Sequence, residues 1–348
     1  MDAAVNLRGP RRRATSVPVR ALHKSRWGLG STRDGAGRMT DGKAEDTHWD
    51  VIVIGGGPAG LAAAMWLARY RRTVRLFDAQ DPRNKETWAV HGYFGVDDPP
   101  PLELRRIGRE QAVRAGAELE AAVVETVGGE KEDFRVTLAD GRVFRSRRLL
   151  FATGLKDIKP EVPGFDDFYG SSIWHCPDCD GPSIQGQKVG ILGWGTSIAK
   201  YALYFLTWTD ALTVLTHSHP KDMSAEALET LAEYGIPVNQ NAITALEGKS
   251  GKLERVAFHD GTSEDFDALF FHVACGPGST LPQDIGCESD DEGILIVDKD
   301  FESNVSGVYA AGDITPGTRL VTRAAYEGTR AAIGIHKSLI PPEEKIRH

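Results

Sequence analysis

Cys176 and Cys179 stand three positions apart in the run Trp174-His175-Cys176-Pro177-Asp178-Cys179-Asp180-Gly181. Two thiols at that spacing can close a disulfide or share a metal ion, and a metal needs further ligands. No second C-x-x-C occurs, although His175, Asp178 and Asp180 stand near, so no metal is expected. Pro177 suits the first turn of a helix. A helix N-terminus there lowers a thiolate's pKa and makes the pair reactive. Asp180, beside the second thiol, can move a proton; its other available role is to cap a helix.

A second set of residues suits phosphate. Gly55-x-Gly57-x-x-Gly60, with Pro58 and Ala59 inside it, combines a glycine for a tight turn, one for close backbone approach to a pyrophosphate, and one for helix–strand packing. Asp78 lies 21 residues beyond Gly57, where a carboxylate can accept hydrogen bonds from ribose hydroxyls. Gly193-Trp194-Gly195 begins a similar but less complete turn.

These groups need elements to hold them. Residues 50–54 form a short apolar run, as in a buried parallel strand. The glycine turn follows, then a nearly all-apolar helix over 61–70 and a strand over 73–77 ending at Asp78. Strand–helix–strand within thirty residues is a βαβ unit. The order recurs with a strand at 188–192, the second glycine turn, a helix at 198–206 and a strand at 212–215. Two such units suggest two nucleotide-binding domains. Hairpins are expected at 136–138 with 143–144 around Asp140-Gly141, and at 256–258 with 266–269 around Asp260-Gly261. A helix is expected over 322–340.

Composition bounds the rest. The chain has 348 residues, 41% of them hydrophobic, enough for two domains of roughly 100–200 residues each. Residues 1–49 hold ten Lys/Arg and five Asp/Glu; the remainder holds 31 basic and 44 acidic residues. An acidic body is not built for nucleic acid, which requires clustered Lys and Arg. Four cysteines in this length are no stapled secreted scaffold, and Cys275 and Cys287 stand alone. That usage suits a reducing cytoplasm. The longest uncharged apolar run, 51–68, is cut by Gly55-Gly56-Gly57-Pro58, so no membrane span is expected. Residues 1–48, with Arg11-Arg12-Arg13 and no apolar periodicity, read as a disordered leader or as a start assigned ahead of Met39.

Two further segments complete a pattern. Phe151-Ala152-Thr153-Gly154 and Gly307-Val308-Tyr309-Ala310-Ala311-Gly312-Asp313 are apolar strands ending in turns. With the first glycine turn, in this order, they resemble the two-dinucleotide-binding flavoproteins, where Asp313 would meet the ribityl and phosphate region of FAD. The Cys-Pro-Asp-Cys-Asp-Gly run narrows this: residues 49–340 resemble the low-molecular-weight thioredoxin reductases. Asp81-Pro82-Arg83-Asn84 and His91-Gly92-Tyr93-Phe94-Gly95 are similar to the bacterial reductase-like proteins and the fungal dithiol oxidases acting on gliotoxin-type compounds.

The resemblance implies an α/β fold with two Rossmann-like dinucleotide-binding domains. A discontinuous FAD domain (49–158 and 285–348) would receive an inserted NAD(P)-type domain (159–284) carrying the cysteine pair. It implies FAD bound by Gly55, Gly57, Pro58, Ala59, Gly60, Asp78, Thr153, Gly154, Gly312 and Asp313, with NADPH or NADH at Gly193 and Gly195. Cys179 would contact the flavin, Cys176 would attack the substrate, and Asp180 would act as acid/base. His91 would reach flavin or substrate, or serve only its loop. A homodimer and a small protein or small-molecule disulfide substrate are also implied.

The second turn departs from the family. Ile198 replaces the third small residue and should crowd the helix–strand contact. Where NADPH-using relatives place two arginines, this chain has Thr216-His217-Ser218-His219-Pro220-Lys221. The leading expectation is NAD(P)H-dependent disulfide reduction through flavin and the cysteine pair. The runner-up is an FAD dithiol oxidase passing electrons to oxygen. A non-turnover FAD redox sensor is the third, and intact Cys176, Cys179 and Asp180 argue against it.

Overall fold

The computed structural model describes residues 48–219, 222–272 and 275–341, which lie in one compact unit. The expected leader and Lys221 fall outside the described residues.

The chain opens with β1 (His48–Ile54), α1 (Pro58–Arg69), β2 (Val74–Asp78) and α2 (Pro101–Ala115). It continues through β3 (Glu118–Ala121), β4 (Val124–Glu130), β5 (Asp133–Leu138), β6 (Val143–Phe151) and β7 (Leu155–Asp157). Next come α3 (Phe165–Phe168), β8 (Ile173–Trp174), α4 (Pro177–Asp180), β9 (Val189–Gly193), α5 (Ile198–Tyr204), β10 (Leu212–Leu215) and α6 (Ala225–Glu233). The strands β11 (Val238–Asn239), β12 (Ile243–Lys249), β13 (Lys252–Phe258), β14 (Ser263–Asp265), β15 (Ala268–His272) and β16 (Cys275–Pro277) follow. The chain closes with α7 (Leu281–Asp284), β17 (Val308–Ala310) and α8 (Val321–Ser338).

The fold is mixed α/β, built around two sheets. The first runs β3-β2-β1-β6-β5-β4, with β17 also paired to β6. Its centre is parallel: Ile54 pairs with Phe77 on one side and Phe151 on the other. Buried on both faces, these strands are apolar runs rather than alternating ones. The second sheet runs β11-β10-β9-β15-β8 and is also parallel, with Leu192 opposite Leu215 and Phe271. Among the described residues β7 and β16 join the halves along the chain, and they pair antiparallel, Asp157 opposite Cys275.

The first βαβ unit starts earlier than periodicity indicates, because Pro58 occupies the first helical turn. α8 lies on α1 through small residues; a Cβ on Gly328 would overlap the Ala59 backbone. The first expected hairpin is present, with Val136 opposite Phe144. The second is corrected. β13 turns at Asp260-Gly261 to pair with β14, while β15 joins the parallel sheet beside β9. The apolar run 266–269 suits a doubly buried central strand, and the polar Ser263–Asp265 suits an edge. Residue 284, the expected boundary, lies in α7. Leu281 and Cys287, on either side of it, both pack with Ile52, Phe77 and Phe151 in the first sheet's core.

Candidate redox site

Cys176 and Cys179 form a disulfide, their Cα atoms 5.3 Å apart. The pair sits on α4, a single turn with Pro177 at its start and Cys176 as its cap. The Cys179 amide donates to Cys176 Sγ at 3.1 Å. So short a helix has little macrodipole, and this amide is the local polar group on the sulfur. Gly181 follows because a Cβ there would come within 2.5 Å of the Trp208 ring. Tyr201 and Tyr204 brace the turn from α5: Tyr201 Oη donates to the His175 carbonyl at 2.9 Å, and Tyr204 Oη to Asp178 Oδ1 at 2.5 Å.

Asp180 is 6% exposed and makes no capping hydrogen bond. Burial pushes its carboxyl up to about 6, against a smaller opposing pull from His91. His91 belongs to the 83–91 loop of the first half. His91 Nδ1 pairs with Asp98 at 2.9 Å, while its buried Nε2 has no partner among the described residues. The loop also touches the second half at Gly170, where a Cβ would overlap the Glu86 backbone.

A string of charges ties the turn to the first half. Arg83 Nε donates to Asp157 Oδ1 at 3.0 Å and its Nη1 to Asp313 Oδ2 at 3.2 Å. Asp157 Oδ2 accepts from Tyr169 Oη at 2.8 Å and lies 3.9 Å from His175 Nδ1. Burial alone would raise Asp157, but Arg83, His175 and Tyr169 together hold it below the usual carboxylate range. Asp313 goes the other way: burial raises it despite Arg83. Burial pushes His175, next to Cys176, down to about 4, so it is neutral at physiological pH.

The first glycine turn forms an open cradle. Gly55 has φ 114°, and a Cβ there would overlap the Ala152 carbonyl. A Cβ on Gly60 would overlap the Gly55 carbonyl oxygen, whereas one on Gly57 would meet nothing within 4 Å. α1 starts at Pro58 without a side-chain cap, leaving first-turn amides for an anion. Thr153 Oγ1, just before Gly154, is buried with no partner among the described residues. Gly312 presses on Ala59, where a Cβ would come to 2.9 Å, and buried Glu327 accepts from Gly312 N at 2.9 Å and from Thr315 Oγ1 at 2.7 Å. Asp78 ends β2, 5% exposed, accepting from Gln80 N at 2.9 Å and pairing with Arg105 and Arg109. A carboxylate offers about four acceptor sites, so this leaves capacity for a ribose hydroxyl. Open space, free amides and an orphaned hydroxyl fit a dinucleotide.

The pattern of the pyridine nucleotide-disulphide oxidoreductases matches residues 49–328, which includes both cradles and the cysteine turn. The chain belongs to that family. It is 29% identical to the thioredoxin reductase of Treponema pallidum over 302 residues, 82% of this chain and 96% of that one. Similarity to thioredoxin reductase tcpT of Claviceps purpurea is also 29%, over 80% and 90% of the two chains. The solved structure of HlmI superposes with a TM-score of 0.81 at 30% identity, covering 86% of this chain and 95% of that one. The protein is therefore a thioredoxin-reductase-like thiol–disulfide oxidoreductase that uses a redox-active cysteine pair. The family implies FAD and a pyridine nucleotide as cofactors.

Within this pyridine nucleotide-disulphide oxidoreductase the second cradle differs from the first. Ile198 is fully buried, its Cδ1 2.7 Å from where a Cβ on Gly193 would stand. α5 begins only at Ile198, five residues after Gly193, whereas α1 begins at Pro58, three residues after Gly55. Ser197 makes no capping bond, and its Oγ instead meets His272 Nε2 at 2.9 Å. Gly195 has open space above it, and Trp194 stacks on His219 with ring centroids 4.0 Å apart. Sequence reasoning missed Arg83 as a bridge, and also Arg105, Arg109, Asp157 and Glu327. The i,i+4 spacing of Arg105 and Arg109 was readable as one helix face, but nothing in the sequence gave its partner. Among the described residues no cluster of three or more His, Cys, Asp or Glu could hold a metal. No helix among them is long and apolar enough to cross a membrane.

Proposed function

We propose that the protein carries electron pairs from NAD(P)H to FAD, from FAD to the Cys176–Cys179 disulfide, and from the resulting dithiol to a disulfide substrate. The observation that carries this reading is the Cys176–Cys179 disulfide turn set against the first half, with His175 beside Cys176 lying 3.9 Å from Asp157, which Arg83 links to Asp313. FAD, when bound, supplies the two-electron station between nicotinamide and thiols.

Gly55, Gly57, Pro58, Ala59 and Gly60 would hold its pyrophosphate, Asp78 its ribose, and Thr153, Gly154, Gly312 and Asp313 its ribityl region. Gly193 and Gly195 would line the nicotinamide nucleotide's cradle. Two electrons and two protons convert the Cys176–Cys179 disulfide to two thiols. The Cys176 thiolate then attacks a substrate sulfur, Cys179 resolves the mixed disulfide, and the substrate leaves as a dithiol. Asp180 gives and takes the protons at these sulfurs. The two halves act as an FAD domain split around an NAD(P)-type domain, in a cytoplasmic homodimer.

The Trp194–His219 stack favours a second reading. In it a substrate dithiol loses two electrons and two protons through the same groups, and oxygen takes them to become hydrogen peroxide. Anaerobic flavin reduction by NADPH, NADH and a small dithiol, compared side by side, separates the two. Bleaching by nucleotide supports the first. Bleaching by dithiol alone, with reoxidation by oxygen, replaces it with the second.

A further inference from the structure

We propose that Trp194 and His219 form an internal plug in the second glycine cradle, so that a pyridine nucleotide binds only when this stack opens. The proposal rests on the reading that this cradle serves NAD(P)H.

The two βαβ units can be superposed through their pairings. Ile54 lies opposite Phe77 and Leu192 opposite Leu215, so Asp78 corresponds to Thr216 and Gly56 to Trp194. In the first unit a Cβ on Gly56 would overlap the Asp78 carboxyl group. The acid at 78, as it is placed, therefore requires glycine at 56. In the second unit the acid is replaced by a shorter threonine, and the residue beside it is free to be a tryptophan.

Thr216 is fully buried at the end of β10, and its Oγ1 has no hydrogen-bond partner among the described residues. An orphaned hydroxyl at the ribose position of a dinucleotide fold points to a ligand hydroxyl as its partner. Gly195 has open space above it, so the floor of the cradle remains clear.

The obstruction is lateral. His217 and Ser218 both adopt left-handed backbone conformations, φ 48° and 64°, although neither is glycine. This turn, closed by His219 N donating to the Thr216 carbonyl at 3.0 Å, brings the His219 ring onto the Trp194 indole. The planes lie 14° apart at 4.0 Å, and His219 Nδ1 meets Asp222 Oδ2 at 3.1 Å. An adenine entering between β9 and β10 meets an indole face already covered by the imidazole. When only a fraction of the protein is open, apparent affinity falls by that fraction.

The test titrates the FAD-loaded full chain with NADPH, NADH and AMP by calorimetry, in wild type, His219→Ala and Trp194→Gly. His219→Ala leaves the glycine turn's own sequence intact and guards against misfolding of the other variant. The plug predicts that all three ligands bind about tenfold tighter to His219→Ala, because a site closed nine-tenths of the time gains that factor when freed. Tryptophan emission should also rise in His219→Ala as the stacked imidazole is lost. No such rise should occur when the same change is made in a Trp194→Phe background. Unchanged or weaker affinity in both variants, or no binding in any form, overturns the plug. Flavin reduction by dithiothreitol does not use this cradle and should keep its rate in His219→Ala. Loss of the nucleotide effect with that rate intact removes the plug and leaves the thiol chemistry standing. Tighter nucleotide binding without flavin reduction by nucleotide keeps the plug and removes NAD(P)H as donor.

Discussion

The two glycine turns follow one plan and differ at three places. Gly56, Gly60 and Asp78 in the first become Trp194, Ile198 and Thr216 in the second. The first turn lets α1 approach β1 to backbone contact and starts the helix at once. The second accommodates a branched side chain, starts its helix two positions later, and carries an aromatic pair, Trp194 stacked on His219. The difference teaches that the fingerprint is a set of coupled positions. Losing the acid at the end of the strand releases the residue after the first glycine, and losing the third glycine displaces the helix start.

The hardest way to break the comparison is to give the first turn a feature of the second. Gly60→Val should abolish FAD retention, because the new side chain must displace the Gly55 carbonyl. It should also cost about 1–3 kcal/mol in chemical denaturation, as overpacking typically does. Absorbance of the purified variant reports the first effect.

Next in size is Asp180→Asn, which should lower thiol turnover by roughly 10²–10⁴-fold, the usual contribution of a general acid or base. In wild type the carboxyl titrates near 6. Dithiol oxidation, which needs the base, should rise through that pH, and disulfide reduction, which needs the acid, should fall above it. The variant should show neither limb. Stability carries the opposite sign. A carboxyl raised above its ordinary value favours the protonated form, so the fold weakens as pH rises from about 4 to about 6. Asp180→Asn should therefore be more stable than wild type above pH 6, by on the order of 2–3 kcal/mol, with no advantage below pH 4.

Arg83→Gln tests whether the ionic contacts of the two halves differ as their cradles do. Removing Arg83 strands Asp157 and Asp313, both largely buried, and should cost about 3 kcal/mol in urea denaturation. Lys188 and Glu264 pair on the surface of the second half, and Lys188→Gln should change stability by about 0–1 kcal/mol.

The smallest effect concerns nucleotide choice. Without arginines for a 2′-phosphate, KM for NADPH and NADH should both be high and agree within about threefold, against the tenfold per 1.4 kcal/mol that one arginine bond would give. Steady-state kinetics with each nucleotide measures the ratio.

Much of this arrangement was legible in the chain. Short apolar runs ending in glycine turns mark the parallel strands of both sheets, since strands buried on both faces cannot alternate. Pro177 correctly marked the start of the cysteine turn. The crowding expected from Ile198 took a form the sequence did not indicate: the helix start moved and the side chain buried itself against Gly193. Proximity to Asp260-Gly261 points the apolar run 266–269 to a hairpin, whereas its composition suits the central strand it forms. The Arg83 bridge was not legible, because its partners lie 74 and 230 residues away and local spacing carries no information about them. Trp194 was visible as a residue, but its stack on His219 depends on a left-handed turn at His217 and Ser218 that residue types do not announce.

The second half enters and leaves the first at a single point. Leu155 faces Pro277, and Gly278 N donates to the Gly154 carbonyl at 2.8 Å. For the first half the whole intervening stretch is a loop whose ends already touch, and closure entropy grows only slowly with the length of such a loop. The junction should therefore tolerate exchange. Joining 154 to 278 through a few glycines should leave a shortened protein that folds around its own core and retains flavin without any thiol chemistry. A foreign segment with adjacent ends could be spliced in at the same place.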